Sequence, residues 1–346
     1  MSEEQGEVFE KTLKEISREL PPTLQKPPQP DVAISPRIEV LQADAEKLAS
    51  EALSESTRRC YASDWKRWNA WCASESLDPL GPSGQLALYI AHLVNNGAKV
   101  ATIDRAVSAI SKAYTLAERP NPRQDPAVKL VYRGARRRIG VAPEQVEAIL
   151  PSQLKLMVEN LPKGIHQDLR SARNRAALVM GWAGGFRRSE LLGLNMDDVS
   201  VQEEGLRVKI LKSKTDQEGR GRIIGLPYAS VAIVCPVRSF LAWKEAADID
   251  DGPLFRRISR DGRSVEEPRL STRQFSDIVK SAAKRANLDG RFSGHSLRAG
   301  LVTSAVQAKK NPKAIMQQTG HKTVAMIMRY VREQGVWDDN AATGLL

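Results

Sequence analysis

Between Ser54 and Tyr114, apolar side chains recur every three to four residues in three successive runs. They are Tyr61, Trp65, Trp68 and Cys72, then Leu86, Ile90, Leu93 and Val94, then Ile103, Val107, Ile110 and Tyr114. A half-buried strand would alternate at period two, so this spacing admits helices that each bury one stripe. Ser54 can cap the first, and the turns LDPLGPSG and Asn95-Asn96-Gly97 separate it from the others. With a fourth helix expected within residues 125–138, the result is about 85 residues of short-connected helices, which is a compact bundle.

The bundle leads into YRGARRRIG, whose Arg133, Arg136, Arg137 and Arg138 precede a looser stretch, GVAPEQVEAILP, that reads as a linker. A second domain begins near Pro151, where Ser152 can cap a helix through Val158, and residues 172–182 form a strongly apolar helix. Two β-branched segments, 206–211 and 222–226, flank the polar KSKTDQEGRG, so a hairpin or three-stranded antiparallel sheet is expected there. Helical patterning returns over 230–247, 271–286, 296–308, 312–319 and 323–332. The expected fold is therefore mainly α with a small antiparallel β-sheet in the second domain. Its parts are an arm over 1–50, a helical domain over 51–138, a linker over 139–150, a second domain over 151–333 and a tail over 334–346. The arm contains the Pro-rich PPTLQKPPQP and reads as flexible, with room for one short helix near 9–20.

Several function classes fall away on composition. The longest apolar run, AALVMGWAGGF at 176–186, is well short of the roughly 18 residues a membrane helix needs. The acidic start MSEEQGEVFEKTLKEIS lacks the basic and apolar regions of a secretory signal, so the chain is expected to remain in the cytoplasm. Three cysteines without CxxC spacing suggest neither a disulfide framework nor a cysteine zinc site. The net charge is +11, and residues 1–45 carry a net of −4, which leaves +15 on the remainder. Such a surplus draws polyanions, nucleic acid above all, because each neutralised phosphate releases condensed counterions.

No phosphate-binding loop, HExxH or GxSxG pattern is present, and the adjacent acids Asp197 and Asp198 read as a solvated turn cap rather than a metal site. Polar residues inside the C-terminal apolar helices are more informative. His295 and Arg298 lie three apart and share one helix face; His321 follows Gly320, and Tyr330 comes nine residues later. Each alone is more often a packing residue. Together they supply a nucleophile, a base and cations for the non-bridging oxygens of a phosphodiester. A free phenol titrates near 10, so Tyr330 would need the basic neighbours that His295 and the arginines could provide.

GGFRRSELLGL, KSKT, SGHSLRAG, TGHKTV and MRYV, in this order, resemble the motifs of the tyrosine recombinase (phage integrase) family, the SGHSLR wording being nearest to its Cre-like members. The resemblance spans residues 52–346. It implies Arg187 as the first catalytic arginine, with Arg188 as the alternative, and Glu190 as its supporting acid. It implies Lys214, rather than Lys212, as the donor to the leaving 5′-oxygen. His295 and Arg298 match the histidine–arginine pair, His321 the second histidine and Tyr330 the nucleophile.

The implied reaction cleaves and rejoins DNA through a 3′-phosphotyrosyl intermediate and a Holliday junction, with no metal and no cofactor. The implied partner is double-stranded DNA with specific recombination sites, gripped by two domains as a C-shaped clamp. The resemblance also implies a monomer in free solution and a homotetramer on DNA. Arg133, Arg136, Arg137 and Arg138 would form a DNA-gripping patch, or else a solvated helix end. In the tail, Val336, Trp337, Leu345 and Leu346 would dock on a neighbouring subunit. Alternatives that share this residue set are a type IB topoisomerase, a telomere resolvase, and a non-catalytic DNA-binding protein with a decayed recombinase fold.

Overall fold

The computed structural model describes residues 37, 40, 41, 44, 54–140, 146–164, 167–211, 221–328 and 330. The chain divides into two compact units, Met1–Pro143 and Glu144–Leu346. The arm's expected helix near 9–20, residues 141–145 of the linker and the whole tail lie outside the described residues.

The first unit holds α1 (Glu55–Ser74), α2 (Gly84–Asn95), α3 (Val100–Leu116) and α4 (Pro126–Ile139). Ser54 caps α1, its hydroxyl accepting from the Thr57 amide at 3.2 Å. Asp125 caps α4 in the same way, accepting from the Ala127 amide at 2.7 Å, with Pro126 at the first helical position. Trp65, Trp68, Cys72, Leu86, Ile90, Ile103, Val107, Ile110 and Tyr114 are buried as the periodicity requires, while Tyr61, Leu93 and Val94 are half-buried at its margin. The polar tips of the aromatics fix the connection between α1 and α2. Trp68 Nε1 donates to the Pro79 carbonyl at 3.0 Å and Tyr114 Oη to that of Gly81 at 2.8 Å.

The second unit comprises α5 (Pro151–Glu159), α6 (Asp168–Ala183), α7 (Arg188–Gly193), β1 (Val199–Val201), β2 (Gly205–Ile210), β3 (Arg222–Pro227) and α8 (Pro236–Ala247). These are followed by β4 (Arg256–Ile258), β5 (Val265–Arg269), α9 (Thr272–Arg285), α10 (Gly294–Gln307), α11 (Pro312–Thr319) and α12 (Val324–Met328). Strands β1, β2 and β3 form an antiparallel sheet in that order, with Val208 opposite both Val199 and Ile224. Along β2 the side chains of Leu206, Val208 and Ile210 are buried while Arg207 and Lys209 face solvent. Helix α6 supplies the centre of the core with Ala176, Ala177, Leu178, Val179 and Met180.

The fold departs from the sequence reading in three places. Helix α5 starts at Pro151, so Ser152 lies inside the first turn; the Leu150 amide is instead satisfied by Gln153 Oε1 at 2.8 Å. Helix α8 starts at Pro236 rather than at 230, because a 3₁₀ turn at Ala232–Val234 occupies the preceding segment. The antiparallel pair β4–β5 was not expected, since RRISRDGRSVEEPR has no apolar alternation. Arginine side chains tie it down. Arg170 donates to the carbonyls of Ser259 and Arg260 at 2.7 and 2.6 Å, Arg173 to that of Arg256 at 3.2 Å, and Arg269 to that of Leu194 at 2.8 Å.

Helix α10 is held by close backbone approach. A Cβ at Gly300 would fall 1.9 Å from the Ile149 carbonyl oxygen, which also accepts from Trp182 Nε1 at 2.7 Å, and the Ile149 amide donates to Ser296 at 3.0 Å. Glycine at 300 therefore sets how near α10 lies to the 147–149 segment. Among the described residues no helix is long and apolar enough to cross a membrane.

Candidate active site

Four segments far apart in sequence converge at one end of the second unit. The first is the turn after α6, where Gly185 adopts a positive φ of 55° and sends the chain to Arg187, the residue capping α7. Glu190 sits three residues on and is buried. Its two oxygens accept from the Arg187 amide at 2.9 Å and from Arg187 Nη1 at 2.5 Å. Arg222, at the start of β3, donates to the same carboxylate from Nη2 at 3.0 Å. Burial alone would raise the Glu190 pKa. The Arg187 amide and the two guanidinium groups outweigh it and hold the carboxyl below its usual range.

The adjacent arginines diverge. Arg188 Nη1 donates to Ser276 Oγ on α9 at 2.7 Å, and its aliphatic stem lies against Gly294. Arg187 is the one paired with Glu190, and it lowers the pKa of His295, Arg298 and His321, while Arg188 also lowers that of His295.

Helix α10 brings His295 and Arg298. The Arg298 guanidinium is 1% exposed, and Nη1 donates to the carbonyls of Gly185 and Thr319, both at 2.6 Å. Its Nη2 lies 3.0 Å from His321 Nε2. Burial first, and then Arg187, bring its pKa down to about 10, which leaves it charged near neutrality. His321 follows the positive-φ residue Gly320 that ends α11. His295 stands at the open edge with Nε2 3.1 Å from the Tyr330 hydroxyl, and Tyr330 ends the turn after α12, its amide bonded to Ile327 at 2.9 Å. The Tyr330 ring centroid is 6.1 Å from that of His295 and 5.7 Å from that of His321.

Both imidazoles are held below the ordinary value of 6.5. Loss of hydration in the crowded site is the main cause and the surrounding arginines add to it; His321 is pushed down to about 4. This has a consequence for stability. The unfolded chain takes up a proton near pH 6.5 that folded His321 refuses until about pH 4, so its contribution is intact above 6.5 and is lost as pH falls toward 4. We expect about 2 kcal/mol to be lost between pH 7 and 5 through this residue. Urea unfolding at the two pH values should show a correspondingly shallower dependence for His321→Gln.

The structure thus brings Arg187, Glu190, His295, Arg298, His321 and Tyr330 together. Lys214 and Lys212 lie outside the described residues, between β2 and β3 in the chain. Asp198 accepts from the Asn195 amide at 2.8 Å, a turn cap. In the first unit, Arg136 lies in the last turn of α4 with its guanidinium 5.7 Å from the Tyr132 ring centroid. Arg123 approaches the same ring at 5.8 Å, and Arg133, Arg137 and Arg138 are exposed. Two residues of the site were missed in the sequence, Arg222 and Thr319. The available signals were slight: a basic residue opening the apolar strand RIIGLP, and a hydroxyl next to the Gly-His pair.

A family model described as the phage integrase family matches residues 147–335. An integrase/recombinase xerD homolog of Selenomonas ruminantium is 33% identical over 307 residues, covering 88% of this chain and 89% of that protein. The recombinase cre of Escherichia phage P1 is 25% identical over 301 residues, 82% of this chain and 85% of its own. A lambda integrase dimer solved on a COC′ core site has the same fold, with a TM-score of 0.57 and 17% identity over 86% of this chain and 96% of that one. With the family model covering more than half of its length and a relative one-third identical over most of it, the chain belongs to the phage integrase family, the tyrosine recombinases.

Proposed function

We propose that this protein is a site-specific recombinase that exchanges strands between two duplex DNA sites, with Tyr330 as nucleophile. The Tyr330 oxygen attacks the scissile phosphorus, a new P–O bond to tyrosine forms, and the bond to the 5′-oxygen breaks. The phenolic proton passes to His295 Nε2, and Lys214 returns one to the departing 5′-oxygen. Arg187 and Arg298 donate to the non-bridging oxygens, where charge accumulates in the transition state. Glu190 holds Arg187 in place, and His321 stands behind Arg298. A base for this step must be uncharged at working pH, and the depressed pKa of His295 supports that role.

The phosphotyrosyl ester conserves the energy of the broken bond, so rejoining to a 5′-hydroxyl from the other duplex needs no cofactor and passes through a Holliday junction. The active assembly is a homotetramer on two sites. Affinity comes from phosphate contacts by the basic surface, Arg133, Arg136, Arg137 and Arg138 included.

The observation that carries the reading is the Tyr330 hydroxyl 3.1 Å from His295 Nε2, with Arg298 and His321 bonded to each other beside it. The test is a nicked DNA substrate that loses its short 5′-hydroxyl fragment on cleavage, incubated with the protein in EDTA. An SDS-resistant adduct is expected, with the nucleotide on Tyr330 after nuclease digestion and mass spectrometry. No adduct on DNA captured from its own host sequence, or an adduct on another residue, refutes the mechanism.

A further inference from the structure

The strand-transfer scheme gives Thr319 no task, yet its side chain is fully buried and bonded on both sides. Its Oγ1 lies 2.6 Å from the Ile315 carbonyl oxygen and 2.8 Å from His321 Nδ1. A hydroxyl carries one hydrogen and a carbonyl oxygen can only accept, so that hydrogen goes to Ile315. Toward His321 the same oxygen must then accept, which requires a proton on Nδ1.

The other side of the ring closes the argument. Arg298 has only donors, so His321 Nε2, 3.0 Å from Arg298 Nη2, must be the bare acceptor. The tautomer follows from the partners: a neutral imidazole protonated at Nδ1. A second proton would have to sit on Nε2, pointing at a guanidinium N–H. The remaining neighbours, Arg187, Arg222 and His295, also disfavour the charged ring. In this arrangement His321 Nε2 is committed to Arg298. The backbone of Thr319 joins in, because its carbonyl accepts from Arg298 Nη1 at 2.6 Å.

We propose that Thr319 is a positioning residue whose hydroxyl sets the protonation site of His321 and, through it, aims Arg298 at the reacting phosphate. The consequence for rate rests on the recombinase mechanism above; the tautomer does not. Valine would fill the same volume without accepting a hydrogen bond, so the hydroxyl and its space can be separated by experiment.

The chain has four histidines, His92, His166, His295 and His321, few enough for selective nitrogen-15 labelling. Multiple-bond proton–nitrogen spectra of the free protein at pH 7 distinguish the two neutral tautomers, and the His321 signals are those lost in His321→Gln. The wild-type protein is expected to show His321 protonated at Nδ1 alone. Thr319→Val should lose this signature and form the covalent adduct about tenfold more slowly, the value of one hydrogen bond, with DNA affinity unchanged. Thr319→Ser keeps a hydroxyl and should restore both.

A wild-type His321 protonated at Nε2 overturns the proposal, and that spectrum needs no variant to fold. So does a Thr319→Val protein that cleaves at the wild-type rate. Failure of the wild-type protein to form any adduct would instead strike the strand-transfer mechanism, leaving the tautomer to be decided by its own spectrum.

Discussion

Tyr330→Phe is expected to abolish covalent capture of nicked DNA, lowering the adduct by at least about a thousandfold, because no neighbouring oxygen replaces the nucleophile. The substitution removes one atom. The ring packs beside Val302, Ile315 and Ile327, and phenylalanine keeps that contact, so the fold and the DNA affinity should not change. Only the hydroxyl facing His295 Nε2 is lost. The measurement pairs a gel-shift titration with the SDS-resistant adduct on the same substrate. Binding without capture is the expected pattern. An adduct that persists in the variant would assign the nucleophile elsewhere, and the catalytic scheme would have to be abandoned.

Arg298→Lys should lower single-turnover cleavage about 10²–10³-fold, the usual cost of removing a donor aimed at developing charge. The charge is retained and the geometry is not. The guanidinium bonds the carbonyls of Gly185 and Thr319 and the bare nitrogen of His321 from one plane, a span that a single ammonium cannot reproduce. Affinity for DNA should stay within about twofold of wild type, since it is spread over many phosphate contacts. Leaving buried carbonyls unpaired should also cost about 1–3 kcal/mol in denaturant unfolding. A cleavage rate close to wild type would mean that Arg298 buttresses the loops around it and never meets the phosphate.

Much of this could be read along the chain because it depends on local periodicity. The helical unit follows from aromatic and aliphatic residues at three-to-four spacing, and Ser54 caps where its position suggests. The β4–β5 pair was hidden for the opposite reason. It is stabilised by Arg170 and Arg173 reaching from α6 to the carbonyls of Ser259, Arg260 and Arg256, and by Arg269 of β5 itself reaching out to the Leu194 carbonyl, and no alternation marks it. Arg222 was hidden likewise. It looks like a solvated residue after a polar loop until β3 places it on the buried Glu190 carboxylate, 3.0 Å away.

The choice between Arg187 and Arg188 shows where sequence reasoning stops. Both are arginines at a helix start, and spacing to Glu190 favours the first. Only the fold sends Arg188 to Ser276 on α9 and keeps Arg187 against Glu190. The protonation state of His321 is a stronger case. It is fixed by a hydroxyl two residues away on one side and by a guanidinium from another helix on the other.

The sequence by itself determined which segments are helical, which face of each is apolar, and which residue types at which intervals mark a tyrosine recombinase. These are properties of near neighbours in the chain, written in the periods of helix and strand. The tertiary structure alone decided which donors meet which acceptors. A hydrogen bond depends on angstrom-scale distance and on the direction of one hydrogen, and at this site both arise when separate segments, such as those of Gly185 and Arg298, are packed together.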